Sequence, residues 1–342
     1  MNLKRPSPIT DSPLSRALVT LAAIVIILAG MRFSQPILVP ILLAAFLAVL
    51  TSPAVTWMVR RKVPLAIAIG LVVTLVFAFT YILGSLVVSS AEDMIRSIPD
   101  YERQVDEWLL SLRNQFPWLA TDVRSSLQSM APPDNFIAFA GRFFSGVGSI
   151  LIASILMIFI LIFMLYEGQG LRSKMRRALG NDDSVDYTRR FTKLVQRYLL
   201  IKTLVSALTG LTVWALMTAI QVDFPILWGT FAFFMNFIPN IGSLIAAIPA
   251  VILAGIQQGL PGFVICSVGF GAINAIIGNI LEPRLMGRSL DLSTLVVFLS
   301  LIFWGWILGP VGTLLAVPLT VVVKIGLEVY PKSRWIAILL SE

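Results

Sequence analysis

Histidine is absent from this chain, and cysteine occurs only once, as Cys266. Without histidine there is no Ser-His catalytic pair, no zinc-binding HExxH motif and no histidine-ligated haem. A single cysteine excludes a disulfide within the chain, and its apolar neighbours indicate a small packing residue. Charged residues make up only 13% of the sequence, whereas soluble globular chains carry about a quarter. The composition is therefore not that of a soluble enzyme.

Long apolar runs take the place of the missing charges. The 342 residues are 57% hydrophobic, with a mean hydropathy of +0.89. Runs near the ~20 residues that cross a bilayer as a helix recur from end to end, which predicts an all-α integral membrane protein with about eight membrane segments. The net charge of +8 is typical of membrane proteins, whose cytoplasmic loops collect lysine and arginine. The lipid bilayer is therefore an expected partner, and nucleic acid is not.

The alternation of apolar and charged stretches predicts five regions along the chain. The N-terminus and three spans occupy residues 1–90, and a small, net acidic helical insert outside the membrane occupies 91–142. A fourth span and a basic amphipathic helix follow at 143–199, a transport core at 200–330 and a tail at 331–342. The apolar face of the basic helix, predicted to lie on the membrane surface, comprises Phe191, Leu194, Val195, Tyr198 and Leu199. Because basic residues cluster in alternate connections, both termini are expected in the cytoplasm and the insert outside.

Two pairs of short apolar arms interrupt the pattern in the C-terminal half. Residues 224–238 and 243–256 flank a break at Pro239 and Gly242, and residues 292–308 and 311–324 flank Gly309 and Pro310. Each arm is short against the ~20-residue requirement, which predicts helical pairs that are broken or re-entrant. Such interruptions are the best sequence pointer to the binding site of a transporter. The candidate substrate-binding residues around the breaks are Asn236, Asn240, Ser243, Asn274 and Asn279. The alternative is a proline kink in which asparagine serves as a polar contact between helices.

A second polar group lies at the end of the span at 261–281. Glu282 is the carboxylate nearest the membrane in this half, Arg284 follows it, and Pro283 is predicted to end the helix. On an α-helix, Asn274 and Glu282 lie roughly on one face, about 80° apart. One interpretation is a protonatable coupling or gating pair formed by Glu282 and Arg284. The other is an interfacial salt bridge that anchors the helix end.

The C-terminal half also resembles a known family. IPNIGSLIAAIP at 238–249 and GNILEPRLMGRSLDLSTLVVFLSLIFWGWILGPVGTLLAVPL at 278–319 are similar to the autoinducer-2 exporter family, and the similarity extends from about residue 14 to 330. Many relatives have His-Pro or Ser-Pro after the position of Leu292, where this chain has Ser293 and Thr294. The resemblance implies a polytopic bacterial permease, with autoinducer-2 as the named substrate. Some members are instead assigned sodium/proton antiport.

These observations lead to one preferred hypothesis and three alternatives. We expect a permease of the bacterial inner membrane, not an enzyme, that moves a small polar solute by alternating access. The family resemblance implies that this solute is an autoinducer-2-like signal and that it is exported. No nucleotide-binding loop is found, so sodium or protons would supply the energy, and no cofactor or metal is expected. A homo-oligomer is the expected assembly. The alternatives are a sodium/proton antiporter, a passive channel, and a non-transporting scaffold or receptor that acts through the insert.

Overall fold

A computed structural model describes residues 13–115, 154–168, 170, 182–239, 241–286, 292–329 and 333–341. Every regular element in these ranges is helical. The helices are α1 (Pro13–Phe33), α2 (Gln35–Arg60), α3 (Leu65–Gln115), α4 (Ser154–Gly168), α5 (Asp182–Ala219), α6 (Pro225–Met235), α7 (Gly242–Ile273), a π-helix (Asn274–Leu281), α8 (Glu282–Met286), α9 (Thr294–Leu314), α10 (Ala316–Val329) and α11 (Arg334–Leu339). Six of the described helices are long and apolar enough to cross a membrane, and α4 and α6 are shorter apolar helices. The prediction of an all-α integral membrane protein is confirmed.

Two of the helices are longer than a bilayer requires. α3 has 51 residues and continues without interruption through residue 90, where the sequence places the boundary between the spans and the insert. The rest of the insert, from residue 116 to 142, lies outside the described residues. α5 has 38 residues and joins the predicted basic helix to the predicted fifth span. At 1.5 Å per residue, each of these helices is longer than the ~30 Å hydrocarbon layer.

The prediction that the basic helix rests on the membrane surface is wrong for its described apolar residues. Val195, Tyr198 and Leu199 are buried, together with Val317 and Val321 of α10. Only Leu194 of the described part of that face is exposed. The same spacing that suits a lipid surface also suits a neighbouring helix, and here α10 is the neighbour. Phe191 lies in a stretch whose side chains are outside the described ones.

The first predicted helix break is present. α6 ends at Met235, residues 236–239 and 241 form turns and a bend, and α7 begins at Gly242. The proline ring of Pro239 has no N–H to donate, so the α-helical ladder of α6 cannot continue through it. Gly242 is needed because its α-carbon lies against α6, so closely that a Cβ atom there would be 1.7 Å from the Met235 carbonyl oxygen.

The second predicted break is present at Gly309. This residue has φ 67° and ψ −153° inside α9, and Pro310 follows it directly. A turn that the sequence did not single out, at Gly259 in α7, has nearly the same geometry, with φ 67° and ψ −155°. This part of the Ramachandran map is essentially restricted to glycine, so both turns depend on the missing side chain. α7 and α9 are therefore each two helices joined at a glycine.

Close backbone contact joins α5 to α6 beside the site. A Cβ atom on Gly210 would lie 2.7 Å from the Gly229 carbonyl oxygen, and a Cβ atom on Gly229 would lie 2.7 Å from that of Gly210. The reciprocal pair of glycines allows the two helix backbones to touch, as small residues do in membrane bundles. Around this contact, one apolar cluster joins α3, α5, α6 and α7 and includes Met217, Trp228 and Phe231. The broken segment thus packs against a continuous scaffold helix.

Candidate functional site

A small closed cavity lies at the first helix break. Its volume is about 10 Å³, which is room for a single water molecule. The polar residues that line it are Thr209 of α5, Asn236 at the end of α6, Ser243 of α7 and Asn274 of the π-helix. Its remaining lining consists of Ala232, Ala246, Phe270, Ile273 and Gly278. The structure thus brings together three of the five candidate substrate-binding residues.

Asn236 connects the break to the scaffold helix. Its side chain is only 7% exposed, and its Nδ2 atom donates a hydrogen bond to Oγ of Ser206 at 3.0 Å. The backbone N–H of Asn236 donates to the carbonyl oxygen of Ala232, which completes the last turn of α6. A buried amide needs such partners, since an unpaired polar group in an apolar interior is costly.

Ser243 and Asn274 form the opposite wall of the cavity. The Ser243 hydroxyl donates to Oδ1 of Asn274 at 2.9 Å, which joins the first turn of α7 to the first residue of the π-helix. Oδ1 of Asn274 also lies 2.8 Å from where a Cβ atom of Gly278 would be, so the absence of a side chain at Gly278 leaves room for it. π-Helices are rare and occur frequently at functional sites.

Glu282 pairs with Lys202 and not with Arg284. Nζ of Lys202 lies 2.5 Å from Oε1 of Glu282, and the two side chains are 2% and 18% exposed respectively. The prediction that Glu282 pairs with Arg284 is therefore wrong for the described ion pairs. The Arg284 side chain is exposed. The pairing joins residues 80 positions apart in the chain, which no local spacing indicates.

The predicted helical geometry of this segment also needs correction. Residues 274–281 form a π-helix, in which each residue turns through a smaller angle than in an α-helix. Residues four and eight apart therefore align more closely than the α-helical estimate allows, and Asn274, Gly278 and Glu282 share a face. Pro283 does not end the helical run, which continues to Met286. Proline is tolerated there because it occupies the first turn of α8.

The sequence reasoning missed the residues of α5 that face this segment. Lys202, Ser206 and Thr209 are all at least nine-tenths buried and contact Glu282, Asn236 and the cavity in turn. They are spaced by four and three residues, which places them on one face of the apolar part of α5, Thr192–Ala219. This spacing of polar residues is the sequence signal that could have identified them. It was overlooked because the predicted fifth span contains no proline interruption of the kind that marked the candidate site.

Two of the predicted site residues do not reach the cavity. Asn279 is exposed on the π-helix, away from the face shared by Asn274 and Glu282. Asn240 lies outside the described residues, so its part in the site stays a prediction. The second break, at Gly309 and Pro310, contributes no lining residue to this cavity. Instead, Nε2 of Gln35, the first residue of α2, donates to the Leu308 carbonyl oxygen at 3.2 Å.

The two ends of the first broken pair meet at the opposite pole from Glu282. Asp223, just before α6, accepts a hydrogen bond from Nε2 of Gln257 at 2.6 Å and donates its backbone N–H to Oε1 of Gln257 at 3.1 Å. The Tyr101 hydroxyl of α3 donates to Oδ2 of Asp223 at 2.8 Å. Burial and this carboxylate raise the pKa of the Tyr101 phenol well above its usual range. The segment from 224 to 258 is thus a hairpin whose tip holds the cavity.

The polar groups of the cavity include both acceptors and donors. The Thr209 hydroxyl donates to the Val205 carbonyl oxygen, the Ser243 hydroxyl to Asn274, and the Asn236 amide to Ser206. These two hydroxyls are thereby directed to protein partners, which leaves lone pairs on their oxygens, but the described bonds use only one of the four side-chain N–H groups of Asn236 and Asn274. Such a cavity offers both acceptors and amide donors to a small polar ligand.

A bundle of helices long enough to cross a membrane, with broken helices around a small polar cavity, is typical of membrane transport proteins. Comparison with known proteins identifies the group within that class. Residues 21–332 match the model of the AI-2E family transporters. AI-2 transport protein TqsA of Escherichia coli K12 is 38% identical over 329 residues, which is 96% of each chain.

Two further relatives are similar along almost their whole length. A Haemophilus influenzae protein that is named as a transport protein is 39% identical over 96% of this chain and 97% of its own length. YhhT of E. coli K12, also named as a transport protein, is 38% identical over 99% and 97%. The chain belongs to the AI-2E transporter family. It is a multi-pass membrane permease and not an enzyme.

Proposed function

We propose that this permease carries a small polar solute through the cavity at the first helix break, by alternating access. The observation on which the proposal rests is the enclosure of Asn236, Ser243 and Asn274 in one buried, oxygen-lined cavity at the tip of a hairpin. Broken helices in transporters place such groups near the middle of the bilayer, where their free backbone and side-chain groups bind substrate.

The solute that fits this proposal is small and exchanges hydrogen bonds with hydroxyl and amide groups. A hydroxylated molecule such as an autoinducer-2-like signal meets that requirement, and the relative TqsA is named for AI-2 transport. The closed cavity of about 10 Å³ holds only one water molecule, so an organic solute requires the hairpin to move away from α5. The present arrangement is accordingly the occluded state of the proposed cycle.

Sodium/proton antiport is the second candidate, and the size of the cavity favours it. A space of about 10 Å³ whose wall includes neutral hydroxyl and amide oxygens suits a small hard cation, which prefers oxygen ligands. The ionisable Glu282 nearby, paired with Lys202, would carry the proton. Gradients of sodium and protons are therefore separate arms of the experiment described below.

The proposed setting is the bacterial inner membrane, with both termini in the cytoplasm. The supporting observation is that basic residues cluster at one end of the spans, as in Arg60 and Arg61, whereas Tyr101 and Asp223 mark the other end. The pole with Glu282 then faces the cytoplasm, and the base of the hairpin at Asp223 and Gln257 faces outside. The hairpin is re-entrant in this orientation. A homo-oligomeric assembly and a contribution of Asn240 remain part of the same proposal.

Flux measurements on purified variants in proteoliposomes test the function. The solute panel includes autoinducer-2, other small hydroxylated molecules and sodium, each with and without sodium and proton gradients. Asn236→Ala is expected to reduce flux by at least about tenfold, because it removes a buried amide from the cavity wall and leaves Ser206 without this partner. The control is Asn279→Ala, which removes the same side chain from an exposed position on the adjoining helix.

Two results would contradict the proposal. If the Asn236 and Asn279 variants transport equally well, the break is a packing kink and the cavity is not on the transport route. If no solute or ion of the panel crosses the membrane with the unaltered protein, a scaffold or receptor acting through the insert becomes the better hypothesis. A flux that is independent of every gradient and does not saturate indicates a channel.

A further inference from the structure

Lys202 is the most deeply buried charged group in the described part of the chain. Its side chain is 2% exposed and lies in the middle of the apolar helix α5, one turn from Ser206, the partner of Asn236. A buried ammonium group is stable only when a counter-charge lies beside it. Here the counter-charge comes from another element, Glu282 at the junction of the π-helix and α8. The ion pair therefore joins the scaffold helix to the segment that carries Asn274.

We propose that the Lys202–Glu282 ion pair closes the cavity on the Glu282 side and that it opens when Glu282 takes up a proton. What the cavity carries rests on the proposed function, whereas the closure itself is a separate claim. Nothing in the family resemblance singles out Lys202, and snorkelling to the membrane surface is the ordinary role of a lysine at this position. Its burial and its pairing distance of 2.5 Å exclude that role in this structure.

The layering of contacts between α5 and the facing segment supports the closure. Thr209 lies at the cavity, Ser206 bonds to Asn236 beside it, and Lys202 bonds to Glu282 one turn further along. On the facing side Glu282 is two turns from Asn274 on the same face of the π-helix. The ion pair is thus the next polar layer beyond the cavity, on the side toward the described end of α8.

In this proposal Glu282 is the group that exchanges a proton, because it is the less buried partner. Its side chain is 18% exposed, whereas that of Lys202 is 2% exposed. When the carboxylate becomes neutral, the ammonium group loses its counter-charge inside an apolar span, and water that enters the layer would solvate it. Admission of water between α5 and the π-helix is the opening step, since the cavity lies directly behind this layer.

Other ionisable groups surround the pair and set the conditions of the test. On α5, buried Tyr198 precedes Lys202 by one turn and interacts electrostatically with Glu282. On the segment of Glu282 itself, Arg284 is exposed. On α10, which packs against α5, Lys324 is buried and lies 4.0 Å from Glu328. Lys324 resembles Lys202 in type and burial, and its ion pair with Glu328 stays within one helix.

Thiol accessibility of the cavity tests the closure without any transport assay. Cys266 is the single cysteine, so Cys266→Ala combined with Ala246→Cys places one thiol on the cavity wall. A small membrane-impermeant thiol reagent is applied from each side of oriented proteoliposomes. Glu282→Gln is expected to increase the modification rate by about tenfold or more from the Glu282 side alone, the change that ~1.4 kcal/mol makes in an opening equilibrium. Acidification on that side is expected to increase it in the protein that retains Glu282 and not in Glu282→Gln.

Two control variants separate closure from a structural role. Lys324→Met is expected to leave the modification rate unchanged, whereas the exchanged pair Lys202→Glu with Glu282→Lys is expected to return it to the slow value. A cysteine at exposed Arg61, at the end of α2 on the side that the proposal assigns to Glu282, corrects for the effect of pH on thiol reactivity. The melting temperature of each variant shows that it is folded, and the exchanged pair still decides the matter if a single variant is not.

The proposal is overturned if Glu282→Gln and Lys324→Met give the same modification rate. It is also overturned if Glu282→Gln speeds modification equally from both sides, which would indicate general loosening of the bundle. Neither result bears on the proposed function, because the thiol assay measures access and not flux. Conversely, a protein that transports nothing on the solute panel can still show a proton-dependent closure at Lys202 and Glu282.

Discussion

Gly242→Ala is the smallest change that directly disturbs the cavity at the helix break. Gly242 begins α7, and a Cβ atom there would lie 1.7 Å from the carbonyl oxygen and 2.6 Å from the carbonyl carbon of Met235. Contacts shorter than 3.0 Å are not tolerated by a Cβ atom, so the ends of α6 and α7 must separate by about 1.3 Å. The obstruction is backbone, and no side-chain rotation can relieve it.

This separation acts on both walls of the cavity. Asn236, one residue after Met235, bonds to Ser206 at 3.0 Å, and Ser243, next to Gly242, bonds to Asn274 at 2.9 Å. A hydrogen bond of this length does not survive stretching by more than about 1 Å, so at least one of the two is lost. The loss of one is expected to lower the free energy of unfolding by about 1–3 kcal/mol. By analogy with misplaced groups in enzymes, an error of about 1 Å reduces turnover on the order of a hundredfold.

The assay is flux through proteoliposomes for the solute that the unaltered protein carries, with the melting temperature measured on the same preparations. The control is Gly271→Ala, because a Cβ atom at Gly271 has nothing within 4 Å and the residue lies in the same helix. We expect the control to transport normally. Normal flux through Gly242→Ala would refute the reasoning, since it would show that the geometry of the break does not determine transport.

Three further results are expected. A cysteine placed at Ser126, in the acidic insert, is labelled by an impermeant reagent from outside the cell only, and labelling from the cytoplasm would reverse the topology. Gly309→Ala and Gly259→Ala each lower the free energy of unfolding by about 1–3 kcal/mol because of their φ angles. The effect is larger at Gly309, where the methyl group also meets a neighbouring side chain at 2.9 Å; equal effects in chemical denaturation would contradict this. Trp304→Phe removes the 3.0 Å hydrogen bond from Nε1 to Thr320 and is expected to lower the free energy of unfolding by about 0.5–1.5 kcal/mol. Flux is expected to stay unchanged, and a changed flux would contradict the prediction.

The helix breaks could be predicted because their causes are local. Pro239 removes a backbone donor, and glycine at 309 permits a φ angle of 67° that other residues avoid. These effects act within one turn, so the printed sequence contains all that is needed to find them. The turn at Gly259 has the same angles but was not predicted. There the following residue is Leu260 and proline comes one position later, so the Gly-Pro signal is weaker.

The partners across the site could not be predicted because they are distant in the chain. Ser206 precedes Asn236 by 30 residues, and Lys202 precedes Glu282 by 80. Their contacts depend on how α5 packs against the hairpin and the π-helix, which in turn depends on the glycine contact between α5 and α6. The π-helix was also missed, because its composition does not differ from that of an α-helix in the same apolar span.

The buried polar layers are better explained by transport than by stability. The pair of Lys202 and Glu282 must be desolvated, and replacing such a pair with well-packed apolar residues is often neutral or stabilising. A scaffold that acted only through its insert would have no use for a charged layer between α5 and the π-helix. A transporter requires groups that bind strongly in one state and can be rehydrated in the next. Apolar packing alone contains no ionised group that a proton could neutralise, so a proton could not open it. In the proposed cycle the cavity at Asn236 and the ion pair beyond it serve as such groups, and they lie where the continuous helix meets the broken segment.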